Sequence, residues 1–253
     1  MEDLSQAKRK YFAALRQSKR RRELGLFAIE GAKAVGELSG LFKMVALAAT
    51  AKWLESNGDV ATRAAAVYKA SVADIERMSA LSTAPEVIAF FEMPRRGLDI
   101  RSLQGKLVVA LDRVQDPGNL GTIIRACDWF GVDTILCSTD TVDVYNPKVI
   151  QATMGAIGRV EVHYVDLPST LRKLSMPVYG TFLDGQNIYT GKLSNTGVIV
   201  MGNEGQGISP EVAACVTDKL FIPPHPCDKA HVESLNVSMA TAITLALFRS
   251  KIS

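Results

Sequence analysis

The stretch GVIVMGNEGQGIS, residues 197–209, decides how the rest of this chain is read. It opens with an apolar run, Val198 to Met201, and breaks abruptly into a loop holding Gly202, Gly205 and Gly207. Apolar, β-branched residues flanked by glycine predict a strand buried on both faces, as in a largely parallel sheet. Glycines at the carboxyl end of such a strand let backbone approach a ligand closely, and ligands of open α/β sheets bind there. The spacing G-x-x-G-x-G is neither the dinucleotide fingerprint G-x-G-x-x-G nor a P-loop, since no Gly-Lys-Ser/Thr follows. Glu204 moreover puts a carboxylate where a phosphate would be repelled. The plainer alternative is a strand followed by a structural turn.

Working outward, KLVVALD (106–112), DTILCS (133–138), RVEVHYV (159–165), MPVYGTFLD (176–184) and KLFIP (219–223) repeat the strand signal, mostly with helix-compatible segments between them. That alternation predicts an α/β domain with a parallel sheet over residues 106–253. The chain from Ser234, SLNVSMATAITLALFRSK, is apolar nearly all round a helix, which predicts burial on more than one side, inside the domain or at a dimer interface. Before residue 94, short strand-like runs alternate with helical ones, as in FAIEGAKAVGEL (27–38), and predict a small α/β domain over residues 1–96. Pro94-Arg95-Arg96-Gly97 interrupts the pattern, so residues 97–105 read as a linker.

Charge separates the two halves. Up to residue 104 there are 17 Lys and Arg against 12 Asp and Glu; beyond it, 12 against 14. Lys8, Arg9, Lys10, Arg16, Lys19, Arg20, Arg21 and Arg22 occur without an intervening acid and are interleaved with Tyr11 and Phe12, a footprint suited to nucleic acid. Leu4, Ala7, Tyr11 and Leu15 put an apolar face on a helix over residues 4–22, and a solvated basic face is the plainer reading. No apolar run reaches the roughly 20 residues that cross a bilayer, and no signal-peptide core follows Glu2 and Asp3, so the protein is expected in the cytoplasm, away from membranes. Cys127, Cys137, Cys215 and Cys227 form no C-x-x-C pair, which fits reduced thiols. His225, Cys227, Asp228 and His231 lack a recognised ligand spacing among their prolines, and no metal is expected. His163 reads as a packed strand histidine.

Three segments could carry chemistry. In VQDPGNLGTIIRACDWFG (114–131), Asn119 stands where a helix N-cap belongs, and Leu120, Ile123, Ile124 and Cys127 form a core stripe. Arg125 lies beside that stripe; its plainer reading is a surface pair with Asp128 or stacking on Trp129. The second segment is the loop with Glu204. In the third, FIPPHPCDKAHVESLNVSMA (221–240), a long loop leads to Glu233 and Ser234 at a helix start, with Asn236 in the first turn; helix starts bind anions, although Ser234 could simply be a cap.

Together these segments resemble the SpoU (TrmH) family of S-adenosylmethionine-dependent RNA 2′-O-ribose methyltransferases. NLGTIIRACDWFG is similar to its first motif, VIVMGNEGQGIS to its second and IPPHPCDKAHVESLNVSMA to its third, in family order. Upstream, KRKYFAALRQSKRRRELGLFAIEGAKAV resembles the ribosomal-protein-like substrate-binding domain many members carry.

The resemblance implies a SPOUT fold, with a parallel sheet and a deep trefoil knot, and a homodimer as working unit. It further implies Asn119 and the catalytic Arg125 from the first motif, Glu204 from the second, and Ser234 and Asn236 from the third. Gly202, Ile222 and Leu235 match backbone positions that hold the cofactor, in a pocket shared with Asn203, Glu204, Gly207 and Asn236. Lys8, Arg9, Lys19, Arg20, Arg21 and Arg22 would grip RNA, ribosomal in preference to transfer RNA. One departure is visible: family members usually reach Glu-Ser-Leu-Asn through a short glycine-containing loop, whereas Pro224 to Val232 is longer, proline-rich and without glycine. Two other classes remain open from the sequence: a non-catalytic RNA-binding or ribosome-assembly protein, and a nucleotide-binding enzyme, which the missing P-loop lysine disfavours.

Overall fold

A computed structural model describes residues 1–250 except 96, 192, 227, 228, 230, 231 and 233. It divides into two compact units, one made of residues 1–96 with 145–158, the other of 97–144 with 159–253.

In the first unit the strands are β1 (Glu2–Asp3), β2 (Leu26–Glu30), β3 (Met44–Ala49), β4 (Val67–Lys69) and β5 (Val87–Glu92), in the sheet order β1-β4-β3-β5-β2. The helices are α1 (Gln6–Ala13), α2 (Ser18–Leu24), α3 (Ala32–Leu38), α4 (Ala51–Ser56), α5 (Gly58–Ala61) and α6 (Val72–Met78). β5 is antiparallel to β2 and β3, whereas β3 and β4 run parallel. One face of the sheet packs Ala46, Ala48, Ile88 and Phe90 against Phe12, Leu15, Ile75 and Met78. Phe12 stacks on Phe90 with centroids 3.9 Å apart, a contact worth about 0.5–1.5 kcal/mol beyond area burial.

The single helix expected over residues 4–22 is interrupted. A 3₁₀ turn at Ala14–Arg16 and an extended Gln17 separate α1 from α2. The Arg21 guanidinium folds back from α2 to the carbonyls of Leu15 and Arg16, at 2.9 and 2.8 Å, and so satisfies oxygens that the break leaves without helical partners.

The second unit contains β6 (Leu107–Leu111), β7 (Thr134–Cys137), β8 (Glu161–Tyr164), β9 (Val178–Asn187), β10 (Gly197–Met201) and β11 (Asp218–Phe221). All their pairings are parallel, in the order β11-β9-β10-β6-β7-β8. The helices of this half of the chain are α7 (Pro117–Trp129), α8 (Pro147–Thr153), α9 (Leu167–Leu171), α10 (Pro210–Ala213) and α11 (Val237–Arg249). Every residue of β6 and β10 is buried, as their unbroken apolar runs predict for central strands covered on both faces. Their register pairs Gly197 with Leu107 and Met201 with Leu111, so both strands end at one level, where the site is built.

Three expectations change. Residues 97–105 are no free linker, because Leu98 and Ile100 pack against the second unit's core and Leu103 is buried in it. Residues 145–158, including α8, belong to the first unit, where the Tyr145 ring meets Phe27 at 4.5 Å, so the second unit is not continuous in sequence. Finally, within the single chain α11 buries one face: Val237, Thr241, Thr244, Leu245 and Phe248 are buried, whereas Met239 and Ala246 are exposed, so of the two expected sources of further burial the domain interior does not supply it. Its buried threonines donate to the carbonyls of Val237 and Ala240, which makes their hydroxyls compatible with that face. No helix among the described residues is long and apolar enough to cross a membrane.

Candidate active site

The site lies at the carboxyl ends of β6 and β10 and is organised by a chain of side-chain amides. Asn119 donates from Nδ2 to Oε1 of Glu204 at 2.6 Å and accepts at Oδ1 from Nδ2 of Asn236 at 2.9 Å. The Asn236 Oδ1 accepts in turn from the backbone of Ser238 and Met239. Residues 119, 204 and 236, far apart in sequence, are thereby joined in one network that orients every member.

Local sequence explains each placement, with two shifts of one helical position or more from expectation. Asp116, not Asn119, caps α7: its carboxylate accepts the Asn119 N–H at 2.8 Å and Pro117 follows at the first helical position. Asn119 is therefore in the first turn, with its side chain free for Glu204 and Asn236. Likewise Asn236 rather than Ser234 caps α11, and Ser234 stands exposed outside the helix. Asn, Asp and Ser are nearly equivalent as caps, so composition alone does not choose between neighbours.

The glycine loop after β10 is closed on itself. Asn203 and Gly207 exchange two backbone hydrogen bonds, and Asn203 Oδ1 accepts from the amides of Gly205 and Gln206, both at 3.0 Å. A Cβ on Gly202 would lie 2.3–2.6 Å from backbone atoms of Gly207 and Ile208, and Gly207 has φ +68°. These two glycines are thus demanded by the loop's own fold, as the structural-turn alternative in the sequence has it. The tip carries Glu204, exposed and pointing its carboxylate to Asn119.

Arg125 is exposed on α7 in a stripe with Thr122 and Trp129, and it makes no hydrogen bond or ion pair with any described residue. Its possible neighbour Asp128 is taken instead by Arg159, whose Nε and Nη2 donate to the carboxylate at 2.7–3.1 Å. Trp129 is 84% exposed, and no ring contact to Arg125 forms. Among the described residues, therefore, nothing neutralises Arg125, and no hydrogen bond joins it to the Asn119 network. Ile222 is half-buried after β11 and Leu235 is exposed before α11. Among the described residues, no hydrogen bond takes up the backbone groups of either.

Of the other candidates, Cys227, Asp228, His231 and Glu233 lie outside the described residues. Among those described, no cluster of three metal-ligating side chains forms. Cys127 and Cys137 are buried, and that burial pushes their thiols far above the usual range, so neither is a nucleophile at neutral pH.

In the basic tract, Lys8, Lys19, Arg20 and Arg22 are exposed, with Arg20 paired to Glu23. Arg9 is half-buried in an ion pair with Asp74. Arg21 has to be removed from the candidates for RNA contact, because it is 2% exposed and its guanidinium serves the α1–α2 junction. Two residues that sequence reasoning misses, Arg113 and Gln206, meet beside the loop at 3.0 Å. Nothing in their types signals this: the contact depends on a left-handed backbone at Arg113, φ 59°, rare for a residue other than glycine.

Comparison with known proteins follows the same division. The profile of the SpoU rRNA Methylase family matches residues 106–246, and that of the MRM3-like substrate binding domain matches residues 7–89. A structure ascribed to the TrmH family of RNA methyltransferases, from Porphyromonas gingivalis, is 40% identical with a TM-score of 0.88, covering 98% of this chain and 99% of that one. The AdoMet-bound rRNA methyltransferase from Sinorhizobium meliloti is 29% identical with a TM-score of 0.88, covering 100% and 98%. The 23S rRNA (guanosine(2553)-2′-O)-methyltransferase RlmP of Bacillus subtilis is 32% identical over 165 residues, which are 64% of this chain and 63% of that protein.

Proposed function

The chain belongs to the SpoU rRNA methylase family, and from that premise we propose that it transfers a methyl group from S-adenosylmethionine to a ribose 2′-hydroxyl of ribosomal RNA. The observation that carries this reading is the Glu204–Asn119–Asn236 network, which joins the three segments of family resemblance at one end of the sheet. Arg125, without a partner among the described residues, rises from the same helix as Asn119. The Sinorhizobium neighbour's bound AdoMet supports the cofactor, and the 23S rRNA specificity in the Bacillus relative's name supports the substrate.

The residues fit such a cofactor. The self-bonded loop of Gly202, Asn203 and Gly207 forms one wall, and the backbone groups at Ile222 and Leu235, which no described residue takes up, offer hydrogen-bonding edges without a full charge. When bound, the cofactor supplies an electrophilic methyl group on a sulfonium. Neutral amides at Asn119 and Asn236 orient donor and acceptor without quenching that cation. A guanidinium carries its charge throughout, so the role of Arg125 is to clamp the phosphate beside the target ribose and to stabilise negative charge developing on the 2′-oxygen as its proton passes to solvent water. Glu204 offsets the positive charge and fixes the Asn119 amide. Ser234, exposed two residues before Asn236, would meet the ribose in this reading.

The reading extends to assembly and substrate capture. After the edge strand β11 the chain returns so that α11 lies against α7 and Arg249 donates to the carbonyls of Phe130 and Gly131, a course that supports the knotted connection of the SPOUT fold. The exposed stripes with Trp129 on α7 and Met239 on α11 suit a homodimer, and the first unit's Lys8, Lys19 and Arg22 suit a phosphate backbone. The enzyme works in the cytoplasm in this reading. The test is transfer of labelled methyl to unmodified ribosomal and transfer RNA, with calorimetric titration of S-adenosylhomocysteine alongside. Label on ribosomal RNA alone is expected. Label on transfer RNA alone would move the substrate class, and absence of both binding and label would leave a non-catalytic RNA-binding protein.

A further inference from the structure

We propose that Arg113, with Gln206, is a positioning residue that sets the protein's affinity for its cofactor; this rests on the methyltransferase reading above. The loop after β10 is held at three points by two consecutive residues. The Arg113 carbonyl accepts from Asn203 Nδ2 at 2.8 Å, the Arg113 Nη1 donates to Gln206 Oε1 at 3.0 Å, and the neighbouring Asp112 Oδ2 accepts from the amide of Ser209 at 2.7 Å. The first two anchors bracket Glu204 and Gly205, so the loop tip that meets Asn119 is fixed from both sides.

Arg113 reaches both anchors because its backbone is left-handed, φ 59°, a conformation that its own amide secures by donating to Ser138 Oγ at 2.8 Å. Its Nε is buried, has no hydrogen-bond partner among the described residues, and lies 3.6 Å from Oδ1 of Asp112, which is 2% exposed. The guanidinium thus has one end turned to a buried carboxylate and the other turned to the loop. Strained backbone and an orphaned buried donor are tolerated where the surrounding structure over-determines them, and they concentrate at functional sites. A guanidinium can serve both ends because its N–H groups form a rigid planar fork; an ammonium cannot.

Three variants separate positioning from simple bracing. Arg113→Gly accepts the left-handed backbone and removes the fork; Gln206→Ala removes the same bond from the loop side and leaves the Asp112–Arg113 pair in place; Arg113→Lys keeps a charge for Asp112 without the fork. Calorimetry with S-adenosylhomocysteine is expected to show about a tenfold rise in Kd for Arg113→Gly and for Gln206→Ala, and no further rise for the double variant, since the two act through one bond. The KM for S-adenosylmethionine should rise in parallel while the KM for RNA stays put. Arg113→Lys should recover wild-type Tm but not wild-type affinity, whereas a mere brace would recover both. If Arg113→Gly does not fold, Gln206→Ala decides. Wild-type affinity in Gln206→Ala overturns the inference. Failure of the wild-type protein to bind S-adenosylhomocysteine overturns the cofactor reading itself.

Discussion

Between Lys8 and Arg22 eight cations crowd two short helices, whereas the thirteen residues of α7 carry one, Arg125. The dense tract spends several of its charges on the fold. Arg21 is buried on carbonyls, Arg16 donates to the carbonyls of Arg77 and Met78 at the end of α6, and Arg9 pairs with Asp74. The sparse helix leaves its one cation exposed and, among the described residues, unpaired, because the one acid within its reach along α7, Asp128, is bound by Arg159. Charge density in sequence and charge available to a ligand are therefore different quantities. What separates them is competition from carbonyls and carboxylates that only the folded chain brings near.

The comparison is broken most easily at Arg125. Arg125→Ala is expected to lower turnover by about a thousandfold, the scale of losing a preorganised charge-stabilising donor. Its Kd for S-adenosylhomocysteine should stay near the wild-type value; turnover within tenfold of wild type would end the assignment. Next in size is Arg21→Met, which strips charged hydrogen bonds from buried carbonyls and should cost about 2 kcal/mol of stability in denaturant unfolding. At a permissive temperature its RNA affinity per folded molecule should match wild type, and a selective loss of affinity would return Arg21 to the RNA-binding surface. Smaller again is the double change Lys19→Gln with Arg22→Gln. RNA affinity should fall about tenfold, and the slope of log affinity against log salt should flatten by about 1.4–1.8 units, the value for two lost phosphate contacts. An unchanged slope would show those cations to be merely solvated.

The smallest effect concerns pH. Hydrogen bonding from Ser71, then from Arg9, holds the Asp74 carboxyl below its ordinary value. A depressed folded-state value means that this stabilisation is fully present above the unfolded carboxyl range, near pH 4, and is lost as pH falls through the folded value. Asp74→Asn should thus show a shallower loss of stability than wild type below about pH 4 in acid titrations.

Much of the second unit is legible in its amino-acid order alone. Leu107–Leu111 and Gly197–Met201 are unbroken apolar runs, and their shortness and valine content favour a strand covered on both faces over a buried helix. Asn119, Glu204 and Asn236 are legible as motif positions, and the network confirms that they meet, though their residue types do not say which neighbour caps which helix. Residues 145–158 cannot be read as part of the first unit, because their packing partners, among them Phe27, lie more than a hundred positions away in sequence. Arg21 looks like its neighbours Arg20 and Arg22, since a buried guanidinium and an exposed one are the same letter until the α1–α2 break supplies carbonyls. Arg113 is invisible for a related reason: side-chain type does not report a left-handed backbone.

The most direct measurement is alkaline digestion of ribosomal RNA after incubation with methyl-labelled S-adenosylmethionine, since a 2′-O-methyl group blocks cleavage at the modified nucleotide. Wild-type protein should place label in an alkali-resistant dinucleotide, and Arg125→Ala should place none. Label confined to alkali-sensitive mononucleotides, or equal labelling by Arg125→Ala, would contradict the account.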